Sequence, residues 1–186
     1  FKFISKTGIP FCPSWATIDL FSSNNKMNAG TFGVAATRYG NFAIQNADLL
    51  ISLGCRLNTQ ITGSNLKSFA PKAKKIVIDI DKNEFKKNNG LRYDLKINLD
   101  LKEFFRQITP KIKNKKKYDK WINIINNWKR KYPIVEEDYY KQSKKCNPYV
   151  FFRNLSELTG KKDVIIPDAS ANLIWAMQSF KTKGQK

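Results

Sequence analysis

Short apolar runs punctuated by turn residues recur along this chain, and stretches with helical spacing fill the gaps between them. Asp48-Leu49-Leu50-Ile51-Ser52-Leu53 stays largely apolar until Gly54, and Lys75-Ile76-Val77-Ile78-Asp79-Ile80-Asp81 is a second run rich in β-branched residues. Leu95-Lys96-Ile97-Asn98-Leu99 is shorter and alternates, Ile9-Pro10-Phe11-Cys12 follows Gly8, and Asp163-Val164-Ile165-Ile166-Pro167 comes last. Continuous rather than alternating runs predict strands covered on both faces, as in a parallel sheet.

Helical patterns separate these runs. Residues 37–46 lead into the run at Asp48, residues 82–87 predict a turn or two of helix, and residues 100–108 carry Leu101, Phe104, Phe105 and Ile108 behind an N-cap at Asp100. Residues 1–7, closed by Gly8, read as the tail of a helix whose preceding strand is missing. Strand and helix in alternation predict an α/β fold, a Rossmann-like parallel sheet flanked by helices. After Pro110 the character changes. A polar, basic stretch leads to Trp121, Ile124, Ile125 and Trp128, one face of an amphipathic helix that closes before Pro133. Pro148 opens a helix carrying Val150, Phe151, Leu155 and Leu158, with Gly160 expected at its C-cap, and a further helix starts near Asn172. These changes divide the chain into a central domain over 1–110 that lacks its first strand, a helical linker over 111–147, and over 148–186 the first βα element of a second α/β domain.

Composition narrows the classes. The 186 residues are 41% hydrophobic, enough for one substantial core, and no apolar run approaches the roughly 18 residues that span a bilayer. Cys12, Cys55 and Cys146 lie far apart and histidine is absent, which argues against a zinc site, removes Ser-His and Cys-His nucleophiles, and fits reduced thiols in a cytoplasmic protein. The net charge of +19 suits a nucleic-acid binder only if it gathers on one face. Instead the basic residues run through the whole chain, and the one dense cluster, residues 111–117, falls where the linker is expected. The aromatic residues Trp121, Trp128, Phe151 and Trp175 lie on apolar helix faces and read as core rather than as a base-stacking platform.

Chemistry concentrates where an open parallel sheet binds ligands, at the carboxyl ends of its strands. Gly30-Thr31-Phe32-Gly33 precedes a helix, so its amides are expected to face an anion. Gly54-Cys55-Arg56 pairs a close-approach glycine with a guanidinium, and Asp79 and Asp81 end the next strand, where a carboxylate accepts from ribose hydroxyls. Each is ordinary turn chemistry alone; at successive strand ends they point to a nucleotide-type cleft. Arg38 is either a phosphate partner or a solvated helix residue.

The order of these motifs resembles the central domain of thiamine-diphosphate enzymes of the acetolactate synthase type. The resemblance runs from Gly30-Thr31-Phe32-Gly33 through Asn41-Phe42-Ala43-Ile44-Gln45-Asn46-Ala47-Asp48, Gly54-Cys55-Arg56-Leu57, Thr62-Gly63 and Phe69-Ala70-Pro71-Lys72-Ala73 to Ile78-Asp79-Ile80-Asp81. The tail Asp168-Ala169-Ser170-Ala171-Asn172-Leu173-Ile174-Trp175-Ala176-Met177-Gln178 resembles the opening of the family's C-terminal domain, with Ser170 where glycine is usual. The resemblance implies thiamine diphosphate and Mg2+ as cofactors, decarboxylation of a small 2-keto acid followed by carboligation, and a homo-oligomer, dimer or tetramer. It assigns thiamine diphosphate to Ala171 and Asn172, and FAD or an adenine nucleotide to Ser14, Trp15, Gly30, Phe32, Gly33, Gly54, Arg56, Asp79, Ile80 and Asp100. In acetolactate synthase the flavin is structural. The family's activating glutamate and its Gly-Asp-Gly…Asn magnesium motif do not occur in this chain, which is therefore expected to be a non-catalytic piece of the enzyme. A basic nucleic-acid-binding protein and a non-catalytic scaffold of the same family stand as the alternatives.

Overall fold

A computed structural model of the chain describes residues 2–86, 90–113, 117–142 and 144–186. Three strands, β1 (Leu49–Leu53), β2 (Lys74–Asp79) and β3 (Leu95–Asn98), form a parallel sheet in the order β1-β2-β3. Leu49 is paired with Lys74 and Ile51 with Ile76, while Ile76 faces Leu95 and Ile78 faces Ile97. Side chains alternate along a strand, so this register puts Leu49, Ile51, Leu53, Ile76, Ile78, Leu95 and Ile97 on one face and Leu50, Ser52, Lys75, Val77 and Asp79 on the other. The helices are α1 (Lys2–Thr7), α2 (Arg38–Gln45), α3 (Thr59–Thr62), α4 (Leu101–Ile108), α5 (Asp119–Lys131), α6 (Glu137–Tyr140), α7 (Pro148–Leu158) and α8 (Ala171–Ser179).

Val77 joins the main core with Phe32, Ile44, Leu57, Ile61, Phe69, Ala70, Ala73 and Leu91. Lys75 is buried on the same face because its ammonium is satisfied by the carbonyls of Ala70 at 2.7 Å and Ala73 at 3.1 Å. α2 carries two apolar faces. Ile44 enters the main core, whereas Ala43 meets Ile125 of α5 in a second cluster with Ala29. Phe42 completes that contact, its ring 5.6 Å from Trp128 and 5.4 Å from Tyr132, and Trp121 packs edge-on to Trp128. The α5 helix is thereby docked on α2 through its apolar stripe.

Several sequence expectations need correction. The segment 9–12 is not a sheet strand. Pro10 has no N–H to give a ladder, and Phe11 makes only an isolated bridge to Asn28. β1 therefore lies at the edge of the sheet, and Leu49 is 44% exposed. The run at 163–167 is extended but unladdered: Ile165 donates to the Lys186 carbonyl at 2.7 Å, and Ile166 is 87% exposed. A sheet strand needs a neighbouring strand, whereas this run is bonded to Lys186, whose own N–H donates to Asp163 O at 3.2 Å. α7 is capped by Thr159, whose hydroxyl returns to Leu155 O, while Gly160 lies beyond and donates to Asp163. Phe151 is half exposed, and its neighbour Phe152 takes the core position. The helix expected at 82–87 is a 3-10 turn, Lys82–Phe85; Lys87, Phe1 and residues 114–116 of the basic cluster lie outside the described residues.

Candidate functional site

The carboxyl edge of the sheet brings Gly54, Arg56, Asp79 and Ile80 together. Gly54 turns the chain out of β1 with φ of 57°, its N–H held by Ile78 O at 2.9 Å. A Cβ here would come within 2.8 Å of Leu101, so the glycine serves both the turn and the close approach of α4. Asp79, at the end of β2, is buried, and one carboxylate oxygen accepts from Asp81 N at 3.0 Å. Ile80 beside it is 70% exposed, presenting an apolar surface at the rim of the edge. Asp100 is spent locally: it caps α4 by accepting from Lys102 N at 2.8 Å and Glu103 N at 3.3 Å. Burial, and then the nearby Asp79 carboxylate, push the Cys55 thiol up to about 11, so this thiol stays protonated at neutral pH.

Sequence reasoning missed the acid opposite Arg56. Glu84, from the turn after β2, accepts from Arg56 Nε at 2.9 Å. The guanidinium is mostly exposed while the Glu84 side chain is largely covered. Nothing in the local pattern marks Glu84 for this role, since the pair forms only when the ends of β1 and β2 come side by side.

The glycine loop is built differently from its expected form. Gly30 and Gly33 take positive φ of 93° and 121°, but α2 begins only at Arg38, capped by Thr37. The Gly30 N–H donates to Asn28 Oδ1 at 2.9 Å, and the Gly33 N–H to Asn41 Oδ1 at 2.8 Å. Asn41 also donates to Gly33 O at 2.9 Å, a reciprocal clamp that fixes the loop against α2. These two amides are thus occupied rather than aimed at an anion. Phe32 is a core residue, and the Arg38 guanidinium sits 5.8 Å from the centre of the Tyr132 ring.

Ser14 and Trp15 lie at another place. Ser14 precedes the 3-10 turn Trp15–Leu20 without a side-chain cap, its hydroxyl 3.2 Å from that of Thr17. Trp15 lines an apolar cavity of about 270 Å³ with Ile165, Pro167, Leu173 and Met177 from the C-terminal segment. That segment is tied down by Thr182, whose N–H meets Ser23 Oγ at 2.9 Å. Ala171 and Asn172 form the first turn of α8. Ser170 before them has φ of 70° and ψ of −138°, and its side chain makes no cap, so the first amides of the helix have no side-chain acceptor at the N-cap. Among the described residues no group of three or more His, Cys, Asp or Glu converges as a metal site, and no helix is long and apolar enough to cross a membrane.

A small parallel sheet flanked by helices, with polar residues at its carboxyl edge, defines a Rossmann-like α/β domain. Residues 1–108 match the family described as thiamine pyrophosphate enzyme, central domain, and the chain belongs to that family. It is 32% identical over 187 aligned positions to a probable acetolactate synthase large subunit of Methanocaldococcus jannaschii, an alignment that covers 94% of this chain and 30% of the relative. It is 29% identical to acetolactate synthase 1, chloroplastic, of Oryza sativa (97% and 28%) and 32% identical to the acetolactate synthase large subunit of Cyanidium caldarium (89% and 28%). The chain therefore spans less than a third of the length of the curated relatives it matches.

Proposed function

We propose that this chain is the cofactor-holding middle of a thiamine-diphosphate-dependent enzyme of the acetolactate synthase type, which decarboxylates a small 2-keto acid and joins the remainder to an acceptor. The observation that carries this reading is the uncapped start of α8 at Ala171 and Asn172, the positions the family resemblance gives to thiamine diphosphate. A helix N-terminus with unspent amides suits a diphosphate. Thiamine diphosphate, when bound with Mg2+, supplies the centre on which the keto acid loses CO2. The chain's own part is to orient: the Ala171 and Asn172 amides hold the negative end, and the buried Ala176 and Ser179 seat α8 against the rest of the fold.

The edge at Gly54, Arg56, Asp79 and Ile80 takes FAD or an adenine nucleotide in a structural role. Asp79 has one carboxylate oxygen spent on Asp81, leaving the other for a ribose hydroxyl, and the exposed Arg56 guanidinium keeps N–H donors for a phosphate beside the Nε–H given to Glu84. Neither the activating glutamate nor the magnesium motif of the family is supplied by these residues, so turnover depends on further parts of the enzyme. We assign the active protein to a homo-oligomer, and to a reducing compartment such as the cytoplasm, in keeping with three free cysteines.

Two measurements test this reading. With Mg2+ and thiamine diphosphate, protein made from the complete reading frame should form acetolactate and CO2 from pyruvate, while the 186-residue chain alone forms none. The chain should still bind FAD or ADP saturably, and Asp79→Ala should weaken that binding at least tenfold. Turnover by the chain alone, or inert complete protein, would sink the proposal.

A further inference from the structure

A second cavity of about 70 Å³, with a polar and an apolar side (Ile18, Met177 and Phe180), lies where α5, the residues before α2 and the far half of α8 meet. Ser23, Asn28, Thr31, Tyr39, Lys129 and Gln178 line it, and it shares only Gly30 with the residues the resemblance assigns to a nucleotide. Asn172 and Gln178 are six residues apart on α8, about 9 Å at ~1.5 Å per residue, so the cavity is well removed from the diphosphate positions.

Lys129 gives the cavity its character. Its ammonium donates to the Asn28 carbonyl at 2.6 Å and lies 5.9 Å from the Tyr39 ring centre. Among the described residues no carboxylate lines the cavity or pairs with this ammonium. Burial pulls its pKa down, partly offset by the neighbouring Cys12. A second cation, Arg153, acts on the Tyr39 phenol, and its Nε is anchored on Ser179 O at 2.8 Å. The remaining donors are neutral. Thr31 Oγ1 accepts from Thr37 N at 3.2 Å and keeps its own proton to give. Partly desolvating a lysine without a counter-charge is costly, and an oxyanion entering the cavity would supply that charge through charge-assisted hydrogen bonds.

We infer that this cavity is a binding site for one tetrahedral oxyanion of the phosphate class, held by Lys129 with help from the hydroxyls of Thr31 and Tyr39. The cavity volume of about 70 Å³ suits a group of phosphate size. The oxyanion is therefore either free phosphate or the terminal phosphoryl group of a ligand whose remainder stays outside.

The test is a calorimetric titration of the 186-residue chain with inorganic phosphate against chloride at constant ionic strength. One saturable phosphate per chain is expected. Lys129→Gln should weaken it at least tenfold, and Lys131→Gln, which neutralises the lysine beside the Tyr132 ring, should change it less than twofold. Gln178→Glu should weaken the site by adding a carboxylate to the cavity lining; because it also gives up the Nε2–H bond to Ala36 O at 3.5 Å, its melting temperature is measured alongside to separate lost binding from unfolding. Glycerol phosphate competing with phosphate would identify the phosphoryl-group source, and lack of competition the free ion. No saturable site in the unaltered chain, equal losses from Lys129→Gln and Lys131→Gln, or undiminished binding by Gln178→Glu would each overturn the inference.

Discussion

Arg56 and Glu84, which are 28 residues apart, meet at 2.9 Å across the carboxyl edge of the sheet. The pair places an internal carboxylate on the cation best situated to receive a phosphate at that edge. An exposed guanidinium limits what the contact adds to stability, to about 1 kcal/mol or less. Its larger effect is on anionic ligands, which meet the Glu84 carboxylate as they approach the exposed guanidinium. Glu84→Gln should therefore tighten binding of ADP or FAD about two- to fivefold with little change in melting temperature, and Arg56→Ala should weaken it in both backgrounds. Calorimetry on the single and double variants checks this, and an unchanged affinity in Glu84→Gln would show that the ligand does not contact Arg56.

Ser170 occupies a backbone conformation that glycine adopts more freely, with φ of 70°. An L-residue there carries about 1–3 kcal/mol of strain. Glycine removes the strain but gains freedom in the unfolded chain, which takes back up to about 1 kcal/mol. Ser170→Gly should on balance stabilise the chain by about 1 kcal/mol in urea unfolding. Ser170→Ala, which keeps the Cβ, should not stabilise it, and a gain as large as that of the glycine variant would place the cause elsewhere.

Much of this architecture was legible in the residues themselves. The periodicity at 48–53, 75–81 and 95–99 located all three strands of the sheet, and Asp100 caps α4 where its spacing to Leu101 and Phe104 placed it. Local reasoning failed where a tertiary partner decides. The apolar run at 163–167 reads as a strand, yet its backbone is bonded to Lys186 rather than to a neighbouring strand. The glycine loop reads as an anion cradle, yet Asn28 and Asn41 take its amides, and an asparagine eight residues downstream of Gly33 carries no local signal. Glu84 and Lys129 acquire their roles only when distant segments converge.

Asn41 holds Gly33 at both its N–H and its carbonyl, at 2.8 and 2.9 Å. Alanine loses both bonds and leaves a part-buried amide and carbonyl to find water, a cost of about 1–2 kcal/mol. Aspartate keeps the bond to the N–H but sets a carboxylate against the Gly33 carbonyl. Both variants should unfold at lower urea concentration. Hydrogen exchange at Gly33 should quicken more in Asn41→Ala than in Asn41→Asp, and equal exchange in the two would mean that the loop is held by other contacts, such as Val34 N to Gln60 O at 2.8 Å.

The cysteines give a pH-dependent prediction. Burial pushes Cys12 up to about 12 and Cys55 up to about 11, whereas Cys146 is exposed. The thiolate is the reacting form, so at pH 8 a disulfide reagent should modify Cys146 quickly and reach Cys12 and Cys55 only on unfolding. Stability follows from the same shifts. Both thiols have folded pKa values above the unfolded value of 9.0, so the folded state holds its protons more tightly. Their contribution is complete below pH 9 and is lost as pH rises toward 11 and 12, with a slope of up to about 1.4 kcal/mol per pH unit for each thiol. Cys12→Ala should flatten the fall in unfolding free energy between pH 9 and 11. If the slope in that window is the same with and without the thiol, Cys12 does not titrate as its burial requires.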